Sequence, residues 1–530
     1  MARSPNFLLF ITDQHRADHL CCSGGPLWST PHIDRLAAQG SRFTDFHVAT
    51  PICQPNRASL MTGRLPSAHG VQMNGRELSH GERTFVETLR ENGYRTALVG
   101  KAHLQNITAV PARWPLPEER LPRDARRPWP GVYGQEVAER WEVEPDFELT
   151  LPYYGYERVA LTIGHADEQH GHWRRWLRRQ LPDADRLIGP DNAIPTPGWA
   201  LPALRQAWRT RVPEALYPTN YIAEQTCSLL QEMATQESPF FVQCSFPDPH
   251  HPFTPPGRYW DLRAPEDMPL PDTFAATLVD PPPPVQWLQA QRAQRGEGFR
   301  PGYASFAVTE REMREALALN AGSLACIDDA VGRVMATLVQ LGLDRDTVVI
   351  FTSDHADLMG DRGLMFKGGL HYGALTRVPF IWRDPQATAS GVCHGGLAQS
   401  IDLAPTVLAR AGLAPTHGMQ GLSLLPALAG QAQGALDART GLLIEEEGQR
   451  RDYGLAQRMR LRTLRTRTHR LTVYQGQDWG ELYDLQNDPQ ELRNLWHDPA
   501  SQAQRHAMTD ALVQAMLRSA DDSPYPTASA

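Results

Sequence analysis

The chain has 530 residues and a mass of 59.2 kDa, and its 41% hydrophobic and 21% charged residues are the balance of a globular protein with room for a large core. A formal net charge of −8, with arginines interleaved among acids, gives no support to a nucleic-acid or membrane-surface partner. Seven scattered cysteines, with no CxxC and no Cys/His cluster, argue against a disulfide framework and a thiolate zinc site and suit a reducing compartment.

The opening MARSPNFLLFITDQ holds an apolar run of about five residues that ends in an acid, so it fits neither a signal peptide nor a membrane span. It is predicted as the first core strand, 6–12, of a cytoplasmic protein. TPHIDRLAAQG (30–40) predicts a helix capped at Thr30-Pro31 and stopped at Gly40; RTFVETLRENG (83–93) predicts another, stopped at Gly93, before a strand at 95–100. Residues 105–215 are rich in Pro, Arg, Trp and Tyr. They are too long for a connection and too aromatic for disorder, which suggests an inserted lid or substrate wall and a contact surface for a homo-oligomer. A strand at 239–246, a second excursion at 262–302, a long helix at 309–341, strands at 346–353 and 377–382 and a helix at 401–412 follow.

Alternation of this kind predicts an α/β fold with a large, mostly parallel sheet sandwiched by helices. After about residue 435 the pattern changes to alternating basic and apolar residues, a turn at GQDWG, and a polar helix. The expected division is a catalytic domain over 1–435 and a small antiparallel-sheet subdomain over 436–530.

In a parallel sheet, functional groups gather past the carboxyl ends of the strands. The first strand runs into Asp13-Gln14 and a later one into Asp354-His355, which together offer three oxygen-type ligands and an imidazole to one divalent ion. Each acid alone reads equally well as a cap on the following element. The oxygen-rich shell suits calcium, and the histidine admits manganese. Other strand ends carry Lys101 and His103, His250, and Lys367, which would surround a tetrahedral oxyanion and stabilise charge developing on it. Taken singly, a lysine reads as solvated surface and a histidine as satisfied structure. Asn74, in HGVQMNG, is a weaker candidate for substrate contact beside its reading as a turn residue.

The stretch CQPNRASLMTGR (53–64) raises the question of why a thiol precedes Arg57 by four positions. Burial as a small hydrophobe is the ordinary reading. A thiolate phosphatase loop is disfavoured, since Pro55 removes a backbone donor. C-x-P-x-R followed by A-S-L-x-T-G resembles the signature of the formylglycine-dependent sulfatases of the alkaline phosphatase superfamily. The likeness extends through the Asp13 strand, GKxH at 100–103, PHxPF at 249–253, the Asp354-His355 loop with Lys367, and ELYDLQNDPQELRNL near the C-terminus.

That resemblance implies that a maturation enzyme converts Cys53 to formylglycine, whose hydrate attacks the sulfur of a small-molecule sulfate ester. It implies that Asp13, Gln14, Asp354, His355 and residue 53 hold the metal, and that Arg57 orients the hydrate. Lys101, His250 and Lys367 would hold the sulfuryl oxygens, with His103 removing the proton that releases sulfate. The Asp-Gln and Asp-His pairs resemble the branch containing choline sulfatases and phosphonate monoester hydrolases, whereas Lys101 is unlike the phosphonate enzymes. A phosphonate monoester or phosphodiester hydrolase, and a binding protein that keeps Cys53 as a thiol, are the alternatives.

Overall fold

A computed structural model describes residues 4–529 except 26, 297, 303, 388, 431–433, 450 and 451. The run NFLLFIT forms β1 (Asn6–Thr12), buried along its whole length because it has a strand on each edge and helices on each face. It belongs to a nine-stranded sheet made in chain order from β1, β2 (Ser41–Phe43), β3 (Arg95–Gly100), β4 (Arg158–Ile163), β5 (His170–Gly171), β6 (Phe240–Phe246), β7 (Thr347–Ser353), β8 (Phe380–Arg383) and β9 (Val392–His394). The spatial order is β9-β2-β8-β7-β1-β6-β3-β4-β5. The five strands from β7 to β4 run parallel, with Phe7 opposite both Phe241 and Val348; β8 and β5 are antiparallel to their neighbours.

Side-chain alternation along β1 splits the core in two. Leu8 and Phe10 pack with α1 (Pro31–Gln39), α4 (His172–Gln180), α5 (Pro218–Met233) and α6 (Glu310–Gln340). Phe7, Leu9 and Ile11 pack on the other face with α2 (Cys53–Thr62), α3 (Phe85–Glu91) and α7 (Leu403–Arg410). Each such buried side chain contributes about 1.5–3 kcal/mol of transfer free energy. The α/β sandwich expected from periodicity is present.

Two local details differ from the sequence reading. Thr30 does not cap α1 through its hydroxyl, which accepts the Cys21 N–H and donates to Asp34; Pro31 alone marks the start. The caps of α3 and α6 are instead reciprocal boxes, Thr84 with Glu87 and Thr309 with Glu312. The segment 105–215 supplies β4 and β5 to the central sheet, so part of it is core framework. All seven cysteines are unpaired, and among the described residues no helix is long and apolar enough to cross a membrane.

The C-terminal region forms a four-stranded antiparallel sheet, β10 (Leu442–Glu447), β11 (Arg460–Arg465), β12 (His469–Tyr474) and β13 (Gly480–Asp484), followed by α8 (Gln502–Arg518). Leu443, Leu464, Leu471 and Leu482 lie in register on one face and pack on Met508 and Leu512 of α8. The opposite face carries Glu446, Leu461 and Tyr474 in one row and Thr463, Thr472 and Glu481 in the next, and it is buried against residues 370–375 of the α/β body.

Candidate active site

The carboxyl ends of β1, β3, β4, β6 and β7 lie along one edge of the sheet, because these strands are parallel and adjacent. Asp13 and Gln14 follow β1, Lys101 and His103 follow β3, His165 follows β4, His250 and His251 follow β6, and Asp354 and His355 follow β7. Opposite them stands α2, buried at all ten positions, with Cys53 as its first residue and Arg57 one turn on.

The contacts tie these groups into one cluster. Cys53 Sγ lies 3.0 Å from His355 Nε2 and 3.8 Å from Asp13 Oδ1 and accepts a 3.0 Å hydrogen bond from Lys367 Nζ. Arg57 donates from Nε to Asp354 at 2.7 Å and from one terminal nitrogen to the Lys101 carbonyl and Ser245 Oγ, both at 2.9 Å. Lys101 Nζ pairs with Asp13 Oδ2 and lies 2.8 Å from His165 Nε2, and the His165 ring stacks on His250 at 3.7 Å between centroids. Lys367 Nζ also reaches Gln14 Oε1 at 2.9 Å and His250 Nε2 at 2.8 Å. Asn74 meets the first turn of α2, where its side-chain oxygen accepts the Gln54 N–H at 3.2 Å.

Burial and these charges set the protonation states. Burial opposes ionisation of Asp13, but Lys101 and His250, with hydrogen bonds from His165 and His355, outweigh it and hold the carboxyl well below its usual range. Burial and Asp13 raise the Cys53 thiol, yet Lys367, His355 and Lys101 bring it below its ordinary value, in the sense that the start of a helix also favours. Burial, with Lys101 and Arg57, drives His103 far below the ordinary imidazole value, so it is a neutral base.

The donor set fits a divalent ion. One ligand atom from each of Asp13, Cys53, Asp354 and His355 lies within 4.8 Å of the others, all four residues being buried. His355 Nδ1 lies 2.9 Å from the Ala356 carbonyl, which leaves Nε2 facing the carboxylates as a ligand atom. Burial and Lys367 disfavour a charged His355, but Asp354, Cys53 and Asp13 push it up to about 10; a cation at Nε2 takes that proton's place. The Gln14 amide nitrogen contacts His251 and Asp357, so its oxygen is turned to the Lys367 ammonium, a cation already standing among these donors. Among the described residues, the buried polar atoms here without a hydrogen-bond partner include Arg57 Nη2 and His103 Nδ1.

Sequence reasoning missed four contributors. His165 touches Lys101 and His250, and Asp357 holds Gln14 and the Phe366 N–H. Asn56 donates to the Asp354 carbonyl at 2.5 Å, and Glu136 accepts the N–H groups of His103, Leu104 and Gln105 at 2.7 to 2.9 Å. Only Asn56, inside the quoted signature, carried a local signal. These bonds hold Gln14, His103 and Phe366 at positive φ, a backbone strain of order 1–3 kcal/mol each.

Gly100 shows how little slack the framework has. Its φ is +105°, and a β-carbon there would fall 1.9 Å from the Ser245 carbonyl oxygen. Gly100→Ala is expected to cost about 2 kcal/mol or more in urea unfolding, through the clash and the unfavourable φ.

A family model described as Sulfatase matches residues 5–413, and one described as N-sulphoglucosamine sulphohydrolase, C-terminal, matches 360–518. The chain is 30% identical to the multifunctional alkaline phosphatase superfamily protein PehA of Trinickia caryophylli over 93% of this chain and 92% of that protein. It is 26% identical to an arylsulfatase of Clostridium perfringens, covering 93% and 90%. The crystal structure of a phosphonate monoester hydrolase of Agrobacterium radiobacter superposes with a TM-score of 0.75 at 26% identity, over 98% of this chain and 96% of that one. The chain therefore belongs to the sulfatase family, within the alkaline phosphatase superfamily.

Proposed function

We propose that the protein hydrolyses a sulfate monoester of an aryl, alkyl or sugar alcohol to the alcohol and inorganic sulfate. In this reading Cys53 is first converted to formylglycine by a formylglycine-generating maturation enzyme. The observation that carries it is the setting of Cys53: the first residue of a wholly buried helix, with Sγ 3.0 Å from both Lys367 Nζ and His355 Nε2. Asp13, Gln14, Asp354 and His355, with an oxygen on residue 53, would hold one calcium or manganese ion, whose charge would polarise the sulfuryl group. The hydrated aldehyde supplies a nucleophilic hydroxyl and a second hydroxyl whose deprotonation releases sulfate.

The chain's own groups have separate roles. Arg57, paired with Asp354, orients residue 53. Lys101, His250 and Lys367 hold the sulfuryl oxygens against the charge that grows as the ester bond breaks, and they ease departure of the alkoxide. His103, neutral and with Nδ1 unpartnered, accepts the proton of the second hydroxyl. Asn74, its oxygen occupied by Gln54, offers a substrate its amide N–H groups.

Two measurements test this. The peptide spanning residue 53, isolated from the native host, is expected about 18 Da lighter than the cysteine form, since H₂S is lost and one oxygen gained. Removing the ion with a chelator is expected to lower turnover of a nitrophenyl sulfate by about 100-fold or more, with restoration by calcium or manganese. A native-host peptide at the cysteine mass together with no turnover would instead leave a sulfated-ligand binding protein. A second reading, a phosphonate monoester or phosphodiester hydrolase with the same nucleophile, is favoured by the likeness to the Agrobacterium enzyme. A kcat/KM for the phosphate diester more than about tenfold above that for the sulfate would put that reading first.

A further inference from the structure

The main body holds the Lys367 loop as far as the lysine, which itself forms an isolated β-bridge with Ala304. Asp357 accepts the Phe366 N–H at 2.9 Å, and the Phe366 carbonyl accepts the Leu358 N–H at 3.1 Å. The next two residues after the lysine, Gly368 and Gly369, have φ of +105° and +68° and no side chains with which to hold themselves. Their backbone is met from the C-terminal sheet. Glu446, on β10 and 4% exposed, accepts the Gly369 N–H at 2.7 Å with one carboxylate oxygen. Its other oxygen lies 3.1 Å from His371 Nε2, and His371 Nδ1 lies 2.8 Å from Thr463 Oγ1, itself 2.7 Å from Thr472 Oγ1. From the loop that precedes β11, Tyr453 donates its hydroxyl proton to the Gly368 carbonyl at 2.9 Å. A β-carbon on Gly369 would meet Met459 and Tyr453 at 2.3 and 2.8 Å, so the glycine backbone lies directly on that wall.

We infer that Glu446, assisted by Tyr453, is a positioning residue for Lys367: the C-terminal sheet fixes the backbone from which the active-site ammonium extends. The physical need is clear. A lysine reaches its target on a flexible four-carbon stem, and its ammonium is a compact point charge whose effect depends on where it stands. In the structure that ammonium contacts Gln14, Cys53, His250 and His355 at 2.8 to 3.0 Å. Without the contacts to Gly368 and Gly369 the backbone that follows the lysine would loosen, and a displacement near 1 Å at such a group costs up to about 100-fold in rate. The buried polar face of the C-terminal sheet thereby has a purpose, carrying the partners of an active-site loop while α8 occupies the apolar face.

This inference rests on Lys367 acting on the sulfuryl group as proposed above, and a double-mutant cycle separates the two claims. With a nitrophenyl sulfate as probe, Glu446→Ala is expected to lower kcat/KM by roughly 10- to 100-fold. The same change in a Lys367→Ala background is expected to alter the residual rate by less than about twofold, because the group being positioned is gone. Glu446→Gln, which keeps an acceptor for the Gly369 N–H, should restore most of the activity lost in Glu446→Ala. Equal losses in the two backgrounds, or a native rate for Glu446→Ala, would overturn the inference. A Lys367→Ala enzyme with undiminished turnover would overturn the role of Lys367 itself and the positioning role with it. If Glu446→Ala does not fold, the cycle is run with Tyr453→Phe, which removes one hydroxyl from a side chain that keeps its packing, and the same two outcomes decide.

Discussion

Cys53→Ser is expected to convert a turnover enzyme into one that reacts once. The hydroxyl would stand where Sγ stands, one turn from Arg57 and beside Lys367 and His355. With Lys101, His250 and Lys367 around the sulfuryl oxygens, the serine oxygen can attack sulfur: the new Oγ–S bond forms, the ester S–O bond breaks, and the serine proton leaves with the alcohol. The reaction then stops, because a serine sulfate has no second hydroxyl on its β-carbon from which His103 can take a proton to expel sulfate. Steady-state kcat should fall by about 10⁴-fold or more, a loss of the size seen when a covalent nucleophile is removed. A pre-steady-state burst should release close to one equivalent of alcohol, and the peptide spanning residue 53 should gain the mass of one SO₃ group. Cys53→Ala should show the same loss of kcat with neither burst nor mass gain. A serine variant that turns over repeatedly would remove the need for a hydrated aldehyde and with it the proposed mechanism.

The second large effect is on stability. Arg470, on β12 and fully buried, pairs with Glu481 at 3.0 Å and with Glu491, and stands 4.9 and 4.6 Å from the ring centres of Tyr372 and Tyr483. Glu491 in turn accepts the Gly373 N–H at 2.7 Å, so the arginine joins the C-terminal sheet to the segment that follows the Lys367 loop. Arg470→Met keeps much of the volume but leaves two buried carboxylates without their shared cation, and it is expected to cost about 3–5 kcal/mol in chemical unfolding. The pH dependence has a definite sign. Burial raises Glu491, but Arg470, Arg362 and Arg465 outweigh it and depress its pKa below the ordinary 4.5. A depressed carboxyl contributes stability above its unfolded pKa and loses it as pH falls through the folded value. The native protein should therefore lose this contribution only in acid below 4.5, and the drop should be smaller in Arg470→Met. A variant as stable as the native chain would show that the two carboxylates find other partners.

Much of the architecture was legible in the residues alone. Runs such as NFLLFIT and DTVVIFTS carry unbroken apolar stretches, FLLFI and VVIF, which a strand covered on both faces satisfies. The acids and cations directly after such runs marked the edge of the sheet where a site assembles. β4 escaped notice because RVALTI begins exposed and lies inside a segment dominated by Arg, Pro and aromatic residues. β2, β5 and β9 are two or three residues long, too short for any periodicity to register.

The amino-acid order by itself determined the parallel sheet and the separate antiparallel sheet near the C-terminus, because hydrophobic period and turn chemistry are local properties. Only the tertiary structure decided that His165 stands on Lys101, that Glu136 holds the His103 loop, and that Glu446 reaches the Lys367 loop from 77 residues away. It also decided that the polar face of the C-terminal sheet is buried, whereas alternation alone reads as one face toward water. The reason is physical: a buried polar side chain is satisfied by partners brought near through the packing of distant strands, and no local pattern records which partners those are.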